Sequence, residues 1–328
     1  MILRRSAFDI ADITVRAGRQ ATGALPVVRL VTGNQVSLPL RILHGRTDGP
    51  TIWLSAAVHG DEIAGVEIIR AALDRVDPRA LAGTIIAVPI VNVHGFLNGD
   101  RYLPDRRDLN RSFPGSPKGS LASRLAHLFL SEIVARCDVG LDLHTGSDHR
   151  VNLPHIRADL DDPTTRMLAF AFGAPVAMHA RLRDGSLRAA AVDRGATMLL
   201  YEGGEAWRFD RPAIDAGVAG ITNVLASLGM YGSADAGGSS PDSTVECRSS
   251  SWLRTRRSGI ADLTVALGDR VVPRQRIAVV RDSVGRTVAT VNARNAGIVI
   301  GHTQHPLVNQ GDAVAHIAVP LPDETEAP

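Results

Sequence analysis

His59 and Glu62 stand between two apolar patterns. The run TIWLSAAV at 51–58 precedes them and is typical of a buried strand, whereas AGVEIIRAAL at 64–73 has helical spacing. Side chains three residues apart at the start of a helix lie close enough to bind one ion together. A solvated turn explains the pair equally well, so the motif needs a third ligand before it predicts a metal site.

His144 offers that third ligand. It follows the short apolar run in DVGLDLHT at 138–145, and ligands gather beyond the carboxyl ends of strands in open α/β sheets. Two histidines and one carboxylate with an open fourth position are typical of a catalytic zinc site, where zinc lowers the pKa of its water to about 7. We therefore predict one zinc ion per chain, bound by His59, Glu62 and His144.

Several further polar residues could support this site. Asp142 lies two residues before His144, on the same side of the predicted strand, and could orient a ligand histidine. Four histidines could contact the ligands: His44, His94, His149 and His155. Three in the C-terminal part are expected on the surface: His302, His305 and His316.

The composition is that of an ordinary soluble protein. Of 328 residues, 45% are hydrophobic and 21% charged, and the net charge of +2 predicts no attraction to nucleic acid or membranes. Two distant cysteines exclude a disulfide framework. No apolar run reaches the roughly 18 residues of a membrane span. We expect a cytoplasmic protein, and the oligomeric state stays open, a homo-oligomer included.

Strands and helices alternate in the first two thirds of the chain. This order predicts an α/β domain with a mixed, largely parallel sheet flanked by helices. The predicted strands are 27–31, 36–42, 51–58, 83–92 and 138–145, the first two forming a hairpin, and the predicted helices are 62–74 and 121–137.

The pattern changes after a segment rich in Gly, Ser and Asp. We predict a catalytic domain at 1–235, a linker at 236–246, a smaller all-β domain at 247–320 and a tail at 321–328. Every residue proposed for the chemistry precedes the linker. We therefore expect the catalytic domain to be self-sufficient.

Four motifs, HGDE, DLNRSFPG, DLHTG and YEGGE, occur in the order found in one family. Over roughly residues 25–320 the chain resembles the succinylglutamate desuccinylase/aspartoacylase family, relatives of the zinc carboxypeptidases. The resemblance implies a carboxypeptidase-like α/β fold, one zinc ion and hydrolysis of an N-acyl amino acid. It also implies that His59, Glu62 and His144 bind the zinc.

The resemblance assigns roles in the arginine-rich loop at 101–115. Asn110 and Arg111 are implied to bind a substrate carboxylate, which suits the fork of an arginine. Arg101 is implied to polarise the scissile carbonyl and stabilise the oxyanion. The loop is longer than in aspartoacylase, so Arg107 competes for that role, although a solvated loop also explains it.

Glu202 follows a short apolar strand and precedes two glycines in YEGGE. A carboxylate near zinc could take a proton from the water and pass it to the leaving amine. The resemblance implies this catalytic role for Glu202, and Glu205 is the alternative. A strand-end glutamate in solvent is the simpler explanation of the residue taken alone.

The C-terminal region resembles the β-domain of bacterial family members and, more distantly, biotinyl and lipoyl domains. Those carriers need a lysine, and the only lysine of the chain is Lys118, outside this region. A wall over the active-site mouth or an assembly surface fits better than a carrier. The arginines of RLRDGSLR at 181–188 are expected on a surface helix, although they could serve an acidic substrate.

Together these features predict a zinc-dependent amidohydrolase that cleaves an N-acyl amino acid or a similar small carboxylate-bearing amide. One alternative is a zinc carboxypeptidase acting on a peptide. The other is a non-catalytic protein that binds small molecules.

Overall fold

The computed structural model describes residues 5–147, 149–232 and 244–321. Its strands are β1 (Phe8–Ile10), β2 (Ile13–Val15), β3 (Arg19–Arg29), β4 (Gln35–His44), β5 (Thr47–Ala56), β6 (Ala82–Val88), β7 (Val139–Gly146), β8 (Arg150–Ala158), β9 (Val176–His179), β10 (Thr197–Glu205), β11 (Val245–Arg254), β12 (Gly259–Leu263), β13 (Arg270–Val271), β14 (Arg276–Arg281), β15 (Thr287–Asn292), β16 (Gly297–Thr303), β17 (Leu307–Val308) and β18 (Ala313–Pro320). The helices are α1 (Ala64–Leu73), α2 (Val93–Asn98), α3 (Leu121–Glu132), α4 (Pro163–Phe172), α5 (Leu187–Val192) and α6 (Arg211–Ser227), with 3₁₀ turns at Leu109–Arg111 and Val134–Arg136. None of the described helices has the length and apolar character needed to cross a bilayer.

Twelve strands form one mixed sheet in the order β13-β16-β18-β11-β9-β8-β10-β7-β5-β6-β4-β3. The neighbours β6, β5, β7 and β10 are parallel. On one side β4 pairs antiparallel with β6 and with β3, which confirms the predicted hairpin. On the other side β8 runs antiparallel to β10. The expected largely parallel sheet is therefore confirmed only for its centre, because a hairpin and a returning strand reverse direction at the flanks.

Helices cover both faces of the sheet, as the continuous apolar runs predicted. In β5, Ile52 and Leu54 pack toward α1, α4 and α6, whereas Trp53 packs toward α3 and α5. Trp53 is fully buried, and a Cβ atom at Gly140 of β7 would lie 1.9 Å from its ring. A glycine is therefore needed beside this tryptophan.

The C-terminal region contains only strands in its described part, but it continues the sheet of the first part. β11 pairs parallel with β9, and β16 pairs antiparallel with β8. The strands β8, β9, β11, β18 and β16 thereby close a ring. The apolar side chains shared by the two parts are Val176, Met178, Cys247, Ile298, Ile300 and Ala318. The other four C-terminal strands, β15-β14-β12-β17, form a second sheet.

This shared sheet bears on the predicted division of the chain. Most of the predicted linker, 236–243, and the tail from 322 lie outside the described residues, and the domain boundaries stay predictions. β11 begins at Val245, inside the predicted linker. Removing the C-terminal strands would uncover hydrogen-bonding edges of β8 and β9. We therefore no longer expect a self-sufficient catalytic domain.

Candidate metal centre and active site

The three predicted zinc ligands converge at the carboxyl ends of β5 and β7, where His59 and Glu62 follow β5 and His144 lies among the last residues of β7. His59 Nδ1 lies 2.8 Å from Glu62 Oε1, and His144 Nδ1 lies 2.7 Å from Glu62 Oε2. Their possible ligand atoms lie within 4.8 Å of one another, and all three residues are buried. Two imidazoles and a carboxylate are a donor set that fits zinc. The structure thus brings the predicted ligands together, and their metal role stays a prediction.

Close backbone packing explains the glycine of the HGDE motif. A Cβ atom at Gly60 would lie 2.0 Å from the carbonyl carbon of Gly95 in α2. The loop can therefore pass α2 only with a glycine after His59. The backbone N–H of Glu62 donates to the carbonyl of His59 at 3.1 Å, which closes the turn that joins the two ligands.

Each histidine predicted to bind the metal has a carboxylate beside its other ring nitrogen. Asp142 Oδ2 lies 2.7 Å from His144 Nε2, and its second oxygen accepts from Ser55 Oγ at 2.7 Å. This contact agrees with the predicted orienting role of Asp142. Asp108 Oδ1 lies 3.2 Å from His59 Nε2. Such partners fix the ring orientation and leave Nδ1 for a metal. Asp108 was not among the residues predicted from the sequence, although it opens the DLNR motif.

The pKa values of the Glu62 and Asp108 carboxyl groups are lowered. Burial alone would raise the pKa of Glu62, but the charges and hydrogen bonds of His59 and His144 hold it well below its usual range. Burial would also raise the pKa of Asp108, and contacts with His59 and Arg101 lower it. The lowered pKa values of Glu62 and Asp108 favour their charged forms, which suits the binding of a cation.

Glu202 is partly buried in the same pocket as the three predicted ligands. Its Oε2 accepts from Asn152 Nδ2 at 2.9 Å, and burial raises its pKa. A raised pKa suits a group that must both accept and donate a proton. Asn152, which the sequence analysis did not single out, holds this carboxylate in place.

The alternative carboxylate, Glu205, points elsewhere. The strand register shifts between Glu202 and Glu205, and Gly204 adopts a φ of +76°, which favours glycine. Glu205 instead forms an ion pair with Arg208 at 2.8 Å and lines a different surface depression. Only Glu202 is therefore brought to the three predicted ligands.

Arg101 reaches the site, whereas Arg107 does not. Arg101 Nη1 donates to Glu62 Oε1 at 3.3 Å and to Ser147 Oγ at 3.1 Å, and its Nη2 donates to Asp108 Oδ2 at 3.1 Å. Arg107 is exposed, and its ion-pair partner is Asp105 at 3.9 Å. The geometry favours Arg101 as the arginine near a scissile carbonyl.

Asn110 and Arg111 also line the pocket. Asn110 is buried, and its Oδ1 accepts the backbone N–H of Leu187 at 2.9 Å, which joins this loop to the start of α5. The guanidinium of Arg111 donates to the carbonyl of Asn110. Both residues stand where a substrate carboxylate could meet them.

The pocket, of about 240 Å³, is strongly cationic. Among the residues that the structure describes, the carboxylates lining it are those of Glu62 and Glu202, and the arginines are Arg101, Arg111, Arg150, Arg157, Arg181, Arg183 and Arg188. The expectation of a surface helix at 181–188 is wrong, because α5 begins only at Leu187 and the arginines on both sides of that start line the pocket.

Two residues of the C-terminal strands also line the pocket. Trp252 of β11 and His316 of β18 are paired across the sheet and stack at a centroid distance of 4.2 Å and an angle of 12°. The expectation that His316 is a surface residue is wrong, because β18 packs against the first part of the chain. Burial lowers its pKa to about 3, so it is neutral.

Of the four histidines suggested as supports, only His155 lines this pocket. Its Nδ1 lies 2.7 Å from the carbonyl of Leu153, and burial lowers its pKa to about 4. Polar residues at positions 155 and 157 alternate with apolar ones at 156 and 158. This period of two was the available sequence signal for a polar strand face toward the pocket.

Known proteins are similar to this chain in sequence and in fold. Residues 48–228 match the model of the succinylglutamate desuccinylase/aspartoacylase catalytic domain. The chain is 32% identical over 294 residues to the N-alpha-acetyl-L-2,4-diaminobutyric acid deacetylase of Halomonas elongata, with 86% of each protein covered. The chain belongs to the succinylglutamate desuccinylase/aspartoacylase family. The predicted family is thereby confirmed.

Solved structures extend the likeness to the C-terminal region. The product-bound ectoine utilization protein EutE (DoeB) of Ruegeria pomeroyi superposes with a TM-score of 0.82 at 26% identity, covering 96% of this chain and 98% of that one. The succinylglutamate desuccinylase/aspartoacylase of Rhodobacter sphaeroides gives a TM-score of 0.81 at 27% identity, covering 93% and 97%. The C-terminal strands are therefore part of the shared architecture in these relatives.

Proposed function

We propose that this protein is a zinc-dependent hydrolase that cleaves the amide bond of a small N-acyl amino acid. One observation carries the proposal. The buried cluster of His59, Glu62 and His144 opens into the same pocket as Glu202, and arginines surround both. A deacetylase among the relatives supports the same reaction class.

The cluster would hold zinc through the two Nδ1 atoms and the carboxylate of Glu62. Bound there, zinc would supply Lewis-acid activation at neutral pH. Asp142 and Asp108 keep the two imidazole rings oriented through their Nε2 atoms.

Glu202 moves the proton in this proposal. It takes a proton from the attacking water and passes it to the nitrogen of the leaving amine. Arg101 donates toward the carbonyl oxygen as negative charge develops there, and Asn110 with Arg111 binds the carboxylate of the amino acid.

A turnover assay tests the proposal. Zinc-loaded protein is assayed against N-acyl amino acids, against the same amino acids blocked as amides, and against short peptides. Hydrolysis of the acyl amino acids supports the proposal. Preferred cleavage of peptides would favour a carboxypeptidase, and tight binding without turnover would favour a non-catalytic protein.

A further inference from the structure

The side-chain amide of Asn152 in β8 contacts Glu202, the proposed proton carrier. Its Nδ2 donates to Glu202 Oε2 at 2.9 Å, and both residues line the pocket. The terminal torsion of a glutamate is broad, so this hydrogen bond orients the carboxylate oxygens of Glu202. Proton transfer needs hydrogen-bond distances between the reacting atoms. The position of the Asn152 amide therefore matters for the proposed chemistry.

An irregularity between two strands brings Asn152 to the pocket. In the antiparallel ladder of β10 and β8, Glu202 pairs with His155, whereas Gly204 pairs with Asn152, so the register shifts by one residue. In a regular strand, residues three apart point to opposite faces of the sheet. Asn152 and His155 nevertheless both line the pocket. The irregularity therefore turns the amide of Asn152 toward Glu202, as bulges commonly do for side chains near active sites.

A C-terminal strand lies against the other end of the same amide. Gly301 of β16 pairs with Asn152 on one side and with His316 of β18 on the other. A Cβ atom at Gly301 would lie 2.8 Å from Asn152 Oδ1, closer than Cβ atoms approach other heavy atoms in proteins. The next atoms, the carbonyl oxygen of Val151 and Cβ of His316, would lie at 3.3 and 3.6 Å. The missing side chain of Gly301 therefore leaves the space that the Asn152 amide occupies.

This glycine is required for space and not for its backbone conformation. The φ angle of Gly301 is not positive, so an alanine could adopt the same backbone. Backbone hydrogen bonds hold β16 between β8 and β18, whereas Asn152 Oδ1 is the far end of a flexible side chain. A methyl group added at Gly301 would therefore move the amide of Asn152 before it moved the strand.

We infer that Asn152 is a positioning residue for Glu202 and that Gly301 of the C-terminal strand β16 sets the place of its amide. This inference rests on the proposed function. The strand β16 confines Asn152, and Asn152 in turn orients Glu202. The C-terminal region thereby acts on proton transfer through a residue of the first part of the chain.

Gly301→Ala and Asn152→Ala test this inference singly and together. Each should lower kcat for an N-acyl amino acid by about 10- to 100-fold, because a small misplacement of a reacting group is costly. KM should stay nearly unchanged, because the proposed contacts with the substrate carboxylate remain. The double variant should lose no more than Asn152→Ala alone, since the added methyl group then has no amide to displace.

Gly119→Ala is the matched control. A Cβ atom at Gly119 would lie 2.4 Å from Ser123 Oγ, which is again the end of a side chain but lies outside the pocket. This variant should keep the kcat of the wild type. Wild-type kcat in Gly301→Ala, an effect on KM alone, or losses that add in full in the double variant would each overturn the inference.

Thermal melting covers the case in which Gly301→Ala does not fold. Folding that is restored when Asn152→Ala is added supports the steric contact between the two residues. Failure to fold in both backgrounds would mean that the strand itself needs the glycine, and would reject the inference.

A crystal structure of Gly301→Ala separates this inference from the proposed function. If the wild-type protein hydrolyses no N-acyl amino acid, the proposed function fails, but the structural consequence can still be measured. We expect the distance between Asn152 Nδ2 and Glu202 Oε2 to increase from 2.9 Å to beyond roughly 3.5 Å, where the hydrogen bond is lost. An unchanged distance would overturn the inference, with or without activity.

Discussion

Glu202 lies directly opposite His144 in the parallel pairing of β10 with β7. On its other side, in the antiparallel pairing with β8, it lies opposite His155. Paired residues of neighbouring strands point to the same face of a sheet. The side chains of His144, Glu202 and His155 therefore lie in a row on one face of the sheet, where they line the pocket. A predicted metal ligand and the proposed proton carrier are neighbours by strand register, which is a rigid arrangement.

Glu202→Gln should keep the fold and the zinc but lose most of the turnover. Removing a general acid/base costs about 10² to 10⁴ in rate. Steady-state kinetics and zinc content of the purified variant test this. Glu205→Gln is the control, because Glu205 pairs with Arg208 outside the pocket. A larger loss in Glu205→Gln would transfer the role to Glu205.

His59→Ala and His144→Ala should each lose zinc. The Nδ1 atoms of both rings contact Glu62, so removing either ring deletes one of the three predicted ligands. Elemental analysis of folded protein measures the stoichiometry, which we expect to be one in the wild type. His305→Ala alters an exposed histidine and should retain zinc. Wild-type zinc occupancy in both the His59→Ala and the His144→Ala protein would refute the assignment.

Removing zinc with a chelator should also lower the melting temperature of the wild-type protein, because a ligand that binds the native state stabilises that state.

Arg101→Gln should reduce kcat by about 10² to 10³, as expected when one donor to a developing oxyanion is lost. Arg107→Gln should behave like the wild type, because Arg107 is exposed and lies outside the pocket. The two variants are compared on one substrate after zinc loading. If Arg107→Gln loses activity and Arg101→Gln does not, the loop at 101–115 adopts another conformation during turnover, and Arg107 has the role proposed for Arg101.

Asp108→Asn should weaken zinc binding or activity by about 10- to 100-fold, the usual cost of losing an outer partner of a ligand histidine. The variant loses the negative charge next to His59 and Arg101. Asp105→Asn, in the same loop, is the control, since an amide oxygen can still accept from the backbone N–H of Ala122. Competition with a chromophoric chelator measures the zinc affinity. Equal affinities in the two variants would exclude an orienting role for Asp108.

His155 should make the protein less stable as the pH falls from about 6.5 to 4. Burial lowers its pKa to about 4 in the folded state, whereas the unfolded value is about 6.5. The unfolded chain therefore binds more protons in this window, and the free energy of unfolding decreases with falling pH. His155→Gln should show a shallower decrease in urea unfolding measured between pH 7 and 4.5. If the free energy of unfolding decreases equally with falling pH in the wild type and in His155→Gln, His155 does not bind a proton on unfolding.

Local sequence patterns were enough to predict the central strands and the residues next to them. The apolar runs at 51–58 and 138–145 predicted β5 and β7, because a strand covered on both faces needs continuous apolar residues. The same runs placed His59 and His144 at strand ends, and the i,i+3 spacing placed Glu62 beside His59. These features depend on residues near in sequence, which is why motif and periodicity were sufficient.

Contacts between residues far apart in the sequence depend on the tertiary fold. Asp108 contacts His59, Asn152 donates to Glu202, and Trp252 and His316 line the pocket from the C-terminal strands. No local pattern encodes these contacts, because they depend on which strands become neighbours. The composition of the Gly-, Ser- and Asp-rich segment predicted two separate domains. The pairing of β11 with β9 and of β16 with β8 instead joins both parts of the chain in one sheet. Strand hydrogen bonds are made by the backbone, so the side-chain pattern of a strand identifies its buried face but not its partner.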